Sequence, residues 1–598
     1  MEGWSVLFLD SYSLVPFCLR SSFFLITLAP KKMTFKELSK YLEKLEATSS
    51  RIDITKILAE LFKKSDADEI KEIVYLILGQ LAPKYESVVF NLADRMMIQV
   101  LARAYKKEIK EVQRLYREMG DIGSIAGKLS NNRGGNLSVT QVFDSLHEIA
   151  KMEGEGSQDQ KIEATAKLLS KLDSLSAKFV ARIPIGKLRL GFSDITIIDA
   201  LSWMLTGSKE KSEEIKTIYN STPDVGALAS QIKKSGIKKM INTSPVVGIP
   251  VLPMLAQRLK SPAEMVIKMG KVAVEPKLDG LRLLVHYKSG SGGFTKAFTR
   301  NLNETSWMFP ELDAIDEYIN AKEVILDTEA IGLDSKTKKL ANFQTTMTRR
   351  RKHGIKEKQS VVSIVFYIFD ILFKDGENLM IKSYLDRRKA LSNIIKKGNV
   401  FSVVDSVITD DPKMISKINK EKKSLGFEGI MVKKTDSQYV PGRTGWRWVK
   451  MKEAETDHAK LADTIDCIVM GYMMGKGKRA EFGIGKILVG VRDGQKIRTL
   501  SKVGTGLTDA VFKEMKNRLD KLKTDEPAKE YEVDKDLRPD VWVNPKLVVE
   551  VAADEITKST KHSLGISLRF PKFIRFRDDK NSSSATSANE MKKLYKLQ

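Results

Sequence analysis

Residues 272–287 read VAVEPKLDGLRLLVHY. Two apolar, β-branched runs flank a short polar break, which predicts two strands joined by a tight turn. Lys277 ends the first strand, Gly280 lets the chain turn, and Arg282 opens the return strand. That places an amine in a cleft near a second cation. A cation beside an amine disfavours its charged form, one way an amine becomes a nucleophile near neutral pH. A solvated surface turn would explain the same letters. K-x-D-G also arises by chance in roughly one chain in fifteen of this length, so the rest of the sequence has to carry the reading.

From about 256 to 455, β-branched and aromatic runs alternate with turns, as in EVILDTEAIG, VVSIVFYIFDILF, GIMVKK and WRWVKMK. Helical stretches such as YLDRRKALSNIIKK lie between them, which predicts an α+β domain on antiparallel sheet over 250–455. Upstream, apolar residues recur at i, i+3, i+4 and i+7 from Met33 onward, predicting an all-α domain over 33–245. Leu38, Tyr41, Leu42 and Leu45 share one face of its first helix, and SDADEIKEIVYLILGQL is expected to start a helix at a Ser65 cap. Pro245, Gly248, Pro250 and Pro253 together suit neither helix nor central strand, so a linker is expected near 236–255. Downstream, short strands such as DCIVMGYMM, IGKILVGVR and KLVVEVAAD predict a small Greek-key barrel over 456–580, followed by a tail with a last short helix over 581–598.

With 598 residues, several domains are expected. Lys and Arg outnumber Asp and Glu by 101 to 76, a formal +25 spread along the chain, which points to a long polyanion, nucleic acid, as partner. Cys18 and Cys467 are the only cysteines, too few for a disulfide framework or a four-cysteine zinc site, and a reducing cytoplasmic location is expected. Residues 1–32 are apolar and nearly uncharged, without the pattern of a signal peptide or a run long enough to span a bilayer. Translation is expected to start at Met33, with a membrane anchor as the less favoured reading.

Beyond Lys277, each strand end offers a group a nucleotide would use. Arg300, Glu329, Phe369, Glu428, Lys433, Lys450 and Lys452 occur in that order. Singly, each is ordinary: a core aromatic, an internal ion pair, an exposed strand face. In the helical region, ARIPIGKLRLGFSDITIIDAL interleaves Arg182, Lys187 and Arg189 with apolar residues. Gly191 and Ser193 then open a helix whose free N–H groups could hold a phosphate.

The ordered set K-L-D-G, D-T-E, F-D-I, E-G-I-M-V-K and W-V-K-M-K resembles the motifs of covalent nucleotidyltransferases, specifically ATP-dependent DNA ligases of the archaeal type. SLRFPKFIRFRDDK (567–580) looks like the last motif of that family, KVGTGLTD and ADEITKS like its OB-fold barrel, and GEGSQDQKI with RIPIGKLRLG like its helical DNA-binding domain. The resemblance runs from Met33 to the end. It implies a nucleotidyltransferase (adenylation) domain that seals nicks in double-stranded DNA, joining a 3′-hydroxyl to a 5′-phosphate in replication, repair and recombination.

By that resemblance, Lys277 takes AMP from ATP, passes it to the 5′-phosphate, and AMP leaves when the 3′-hydroxyl attacks. Glu275 would read the adenine edge, Phe369 would stack on the base, and Arg300 and Glu329 would hold the ribose. Arg282, Lys450 and Lys452 would neutralise phosphate charge, and Arg577 and Lys580 would come over ATP from the barrel. Glu428, with Glu329, would hold Mg2+ or Mn2+, and Arg182, Lys187 and Arg189 would contact DNA. One departure concerns YVPGRTGWRW: Thr444 stands where relatives carry arginine, so Arg443 or Arg447 would take that phosphate contact.

A monomer associated with the nucleoid is expected. A sliding clamp is a further partner to test, although no clear clamp-binding peptide occurs. An RNA ligase or capping enzyme would share the lysine motif without the long helical domain. An NAD-dependent ligase would need a four-cysteine zinc site. A nucleic-acid-binding ATPase would need G-x-x-x-x-G-K-[ST], which is absent. A non-enzymatic architectural protein would leave the strand-end acid and aromatic set without purpose.

Overall fold

The computed structural model describes residues 32–131, 136–237, 244–259, 261–334, 362–396, 398–442, 445–452, 464–475, 479, 482–553 and 555–597. Arg443, Thr444 and the extension 1–31 lie outside the described residues, as does the side chain of Lys452.

Between Phe35 and Ser235 the described residues form twelve α-helices around one apolar core. The first, Phe35–Glu46, starts at a capping box in which Thr34 and Glu37 satisfy each other's backbone N–H groups, and it buries Leu38, Tyr41, Leu42 and Leu45 as its periodicity predicts. Ser65 does not start a helix. It closes Arg51–Lys64, its hydroxyl donating to the Leu61 carbonyl, while the next helix, Ile70–Ile77, follows Glu69. A serine satisfies a helix end by donating as readily as a helix start by accepting, so the letter alone does not fix which.

The central region is built on two sheets. In chain order its strands are β1 (Gln257–Arg258), β2 (Val272–Pro276), β3 (Leu281–Lys288), β4 (Phe294–Thr299), β5 (Glu323–Asp334), β6 (Val362–Lys374), β7 (Glu377–Asn378), β8 (Phe401–Val403), β9 (Val407–Thr409), β10 (Gly429–Lys434) and β11 (Trp448–Lys452). One sheet runs β1-β11-β10-β2-β9 and the other β4-β3-β5-β6-β7, with β8 beside β6. Pairing is antiparallel except for β1 with β11 and β6 with β8. Lys277 leaves the first sheet at the end of β2, and Arg282 enters the second at the start of β3. The turn between Pro276 and Leu281 therefore crosses between the sheets, and the cleft between them is the place it creates.

The proline-rich segment before β1 is more than a tether. Gly248 donates its N–H to Nδ1 of the buried His286 at 3.0 Å, and burial pushes that imidazole down to about 3, so it stays a neutral acceptor. Leu252 donates to the Asn220 carbonyl of helix Ser212–Ser221 at 2.9 Å, and Leu255 to the Gly442 carbonyl at 2.7 Å. The segment thus lies against both the helical domain and the sheets.

The C-terminal region is a curled, mainly antiparallel sheet centred on Ile465–Met473, Lys486–Asp493 and Lys496–Val503, an OB-type barrel as predicted. Lys572–Phe576 pairs with Val548–Ala552 on one side, and a bridge between Thr505 and Lys572 closes the curl on the other. Cys467 sits fully buried inside it. Among the described residues, no helix is long and apolar enough to cross a membrane.

Candidate active site

A cavity of about 190 Å3 opens between the two central sheets, lined by Lys277, Glu275, Arg282, Arg300, Glu329, Phe369, Lys433 and Lys450 among others. Eight groups scattered over 176 positions of sequence thus meet in one place because the strand ends meet there.

Lys277 is held by its backbone, its N–H donating to Gly429 O at 2.9 Å and its carbonyl accepting from Glu428 N at 3.2 Å. Its Nζ lies 2.6 Å from Glu428 Oε2. The sequence reading expected a cation next to this amine; the structure places a carboxylate there. Arg282 is committed elsewhere, forming a two-point ion pair with Asp327 at 2.9 and 2.6 Å and donating to the Met254 carbonyl at 2.8 Å. Asp327 has no exposed surface and also accepts from Tyr439 Oη at 2.8 Å, while Tyr439 accepts from Met254 N at 3.0 Å. Arg282 is therefore fixed in position with its guanidinium 5.3 Å from the Phe369 ring and 5.6 Å from that of Trp448.

Two glycines are required by this packing. A Cβ on Gly280 would lie 2.4 Å from the Ala330 carbonyl oxygen, and one on Gly429 would lie 2.2 Å from that of Met451. The close approach lets Gly280 donate its N–H to Glu329 Oε1 at 3.1 Å. Burial raises the Glu329 carboxyl to about 7, against the pull of Lys277 and Arg282. Asp279 is also raised, first by burial and then by the nearby Glu428.

At the blind end, Glu275 is 2% exposed and both of its oxygens are engaged, Oε2 by Lys433 Nζ at 2.8 Å and Oε1 by Tyr384 Oη at 2.7 Å. Lys433 is equally buried, donates to Phe369 O at 2.9 Å and lies 4.4 Å from the Trp448 ring centre. Phe369 forms a half-buried aromatic wall. Arg300 is exposed at the mouth, and Lys450 is half-buried along one side.

Three groups of expected site residues behave differently. Arg577 and Lys580 stay on the barrel, both ion-paired with Asp466 at 2.7 and 2.6 Å, and neither lines the cavity. A barrel residue from 567–580 that does contact the central domain is Arg569: its guanidinium donates to Asp279 Oδ1 at 3.4 Å, stands 3.9 Å from Glu428, the partner of Lys277, and pairs with Glu555 at 2.8 Å. Arg182, expected to touch DNA, is corrected to a structural residue. Only 2% exposed, it is ion-paired with the buried Asp121 and, at 2.8 Å, with Glu46. A guanidinium enclosed in that way has no surface to offer a phosphate. Lys187 and Arg189 are partly exposed, paired with Asp94 at 2.8 Å and with the Gly120 carbonyl at 3.0 Å. They line a larger cleft of about 450 Å3 between the helical domain and the barrel.

Asp327, Tyr439, Tyr384 and Arg569 escaped the sequence reading. Asp327 begins the quoted D-T-E and Tyr439 the quoted YVPG, yet their value lies in pairings 45 and 112 positions distant, which no local pattern encodes.

Comparison with known proteins agrees with this geometry. Residues 34–202 match the family described as DNA ligase N terminus, 253–452 the ATP dependent DNA ligase domain, and 480–580 the ATP dependent DNA ligase C terminal region. The chain is 38% identical over 577 residues to the probable DNA ligase of Dictyoglomus thermophilum, covering 95% of this chain and 98% of that one. It is 36% identical over 590 residues to the DNA ligase of Pyrobaculum islandicum, covering 95% and 99%. The solved structure Pmar-Lig_Pre. shares the fold, with 20% identity, a TM-score of 0.53 and coverage of 90% of this chain and 99% of that one. A lysine at a cavity between two sheets, flanked by a helical domain and a barrel whose Arg569 pairs with Asp279 two residues along, is thus found in a chain that belongs to the ATP-dependent DNA ligase family.

Proposed function

We propose that the chain seals nicks in duplex DNA through a lysyl-AMP and a DNA-adenylate, with Lys277 as the nucleophile. The observation that carries this reading is the 2.6 Å contact between Lys277 Nζ and Glu428 at a cavity edged with cations. In the first step the Nζ–P bond to the α-phosphate of ATP forms as the P–O bond to pyrophosphate breaks, and Glu428 takes the amine proton. The adenylate then passes to a 5′-phosphate, and the 3′-hydroxyl displaces AMP. Arg282, Lys450 and Lys452 neutralise phosphate charge, the largest protein contribution expected in phosphoryl transfer. Phe369 stacks on the base, Glu275 reads its edge, and Glu329 and Arg300 hold the ribose.

Among the described residues, no cluster of three or more His, Cys, Asp or Glu could bind a metal alone. Magnesium fits such a site, since it keeps several waters and takes one or two carboxylates plus substrate phosphates. Glu428 and Glu329 would hold it, and it would add positive charge beside the phosphates. Arg577 and Lys580 reach pyrophosphate only after leaving Asp466, so the barrel turns between steps. Lys187 and Arg189 bind the DNA backbone without reading bases, which suits an enzyme working as a monomer on any nick in replication, repair and recombination at the nucleoid.

Incubation with α-labelled ATP tests the reading. Covalent label on the protein, lost in Lys277→Ala, supports it; label retained in that variant overturns it.

A further inference from the structure

We infer that Tyr384 is a specificity-determining positioning residue for the nucleobase, acting through Glu275. The inference rests on the proposed adenylation reaction and adds a residue outside the cavity to it. Tyr384 begins helix Tyr384–Ile394 and is 1% exposed. Its hydroxyl donates to Glu275 Oε1 at 2.7 Å, opposite the Lys433 ammonium on Oε2 at 2.8 Å. Burial and the neighbouring Glu275 carboxylate both raise the Tyr384 hydroxyl far above its ordinary range, so it donates at every working pH.

Both oxygens of Glu275 are thereby held by donors, the Tyr384 hydroxyl on one and the Lys433 ammonium on the other. Toward the cavity it offers only lone pairs. A purine carrying an amino group at that edge donates to it. One carrying a carbonyl there sets lone pair against lone pair beside a carboxylate only 2% exposed, the situation in which a polar pocket discriminates most strongly. The lysine alone would not suffice, because one donor leaves the carboxylate free to swing about Oε2. Tyr384 supplies the second point that fixes its plane. The ring also packs beneath the Lys433 ammonium at 5.3 Å, so one side chain orders both members of the ion pair.

The test uses the full chain and covalent transfer from α-labelled ATP, GTP and inosine triphosphate, the last differing from ATP in the 6-oxo group without the 2-amino group of guanine. Wild-type protein should label from ATP and reject both 6-oxo nucleotides. In Tyr384→Phe, the ratio of kcat/KM for ATP over inosine triphosphate should fall by about 10- to 100-fold, the worth of one hydrogen bond to a charged group, with most of the loss in KM. A melting curve reports whether the variant folds. If wild-type protein takes no label from ATP, the proposed function fails. If it labels but Tyr384→Phe keeps the wild-type ratio, Tyr384 is structural only and this inference is overturned. If the variant does not fold, the wild-type protein still decides: equal labelling from ATP and inosine triphosphate overturns the inference.

Discussion

Replacing Arg282 by methionine tests how the cavity wall is built. The substitution keeps the bulk of the side chain but leaves Asp327 buried, with Tyr439 as its only described side-chain donor. Breaking a buried ion pair from one side costs about 3–5 kcal/mol. Because the Arg282 side chain is 20% exposed, the lower end applies, about 3 kcal/mol. The Met254 carbonyl also loses its donor, for about 1 kcal/mol more. A total near 4 kcal/mol lowers the transition of a domain this size by about 8–16 °C. Scanning calorimetry at pH 7 measures it, the relevant transition being the one that ATP shifts upward. The companion variant Arg282→Met with Asp327→Leu removes both charges and should recover part of the loss, giving a coupling energy of about 2 kcal/mol or more. A single-variant loss under about 1 kcal/mol, or two losses that simply add, would refute the assignment of Asp327 as a buried counter-charge.

Glu329 gives the cavity a pH dependence. Its folded carboxyl is raised from 4.5 to about 7, so the folded state holds a proton that the unfolded chain has released; this contribution is complete below pH 4.5 and is lost as pH rises through about 7. Melting of the nucleotide-free protein across that window should show the decline, and Glu329→Gln should flatten it. Arg182→Ala should destabilise the helical domain by about 3–5 kcal/mol by stranding Asp121, while Lys187→Ala should instead reduce the salt slope of DNA binding by about one; salt titrations of both variants separate the two. Arg569→Ala should cost under about 1 kcal/mol of stability, since the pair is partly solvated, yet release the barrel from Asp279. Small-angle scattering should then report a larger radius, and an unchanged profile would refute a role for the Arg569–Asp279 pair in holding the barrel.

Much of the molecule was legible because its elements speak locally. The capping box at Thr34 and Glu37, the stripe through Leu45 and the paired runs around Lys277 each follow from residues within a few positions of one another. The site residues were legible as types in an order, since strand ends that meet in space are ordered in sequence. What stayed hidden depends on partners far along the chain. Arg182 reads as a surface cation until Asp121 and Glu46 are seen to enclose it, and Arg282 reads as a neighbour of Lys277 until Asp327 claims it. Ser65 shows the same limit on a small scale.

The segment from Leu252 to Leu255 has a mechanical meaning. One end is tied to the carbonyl of Asn220, the middle is gripped by Tyr439 and Arg282, and the far end is bonded to Gly442. A shift of helix Ser212–Ser221 would therefore break the Leu252 bond or pull on Met254, which Arg282 and Tyr439 hold at the cavity wall. Four residues of the expected linker thus act as a cord, tying a helix of the first domain to the arginine in the cavity wall.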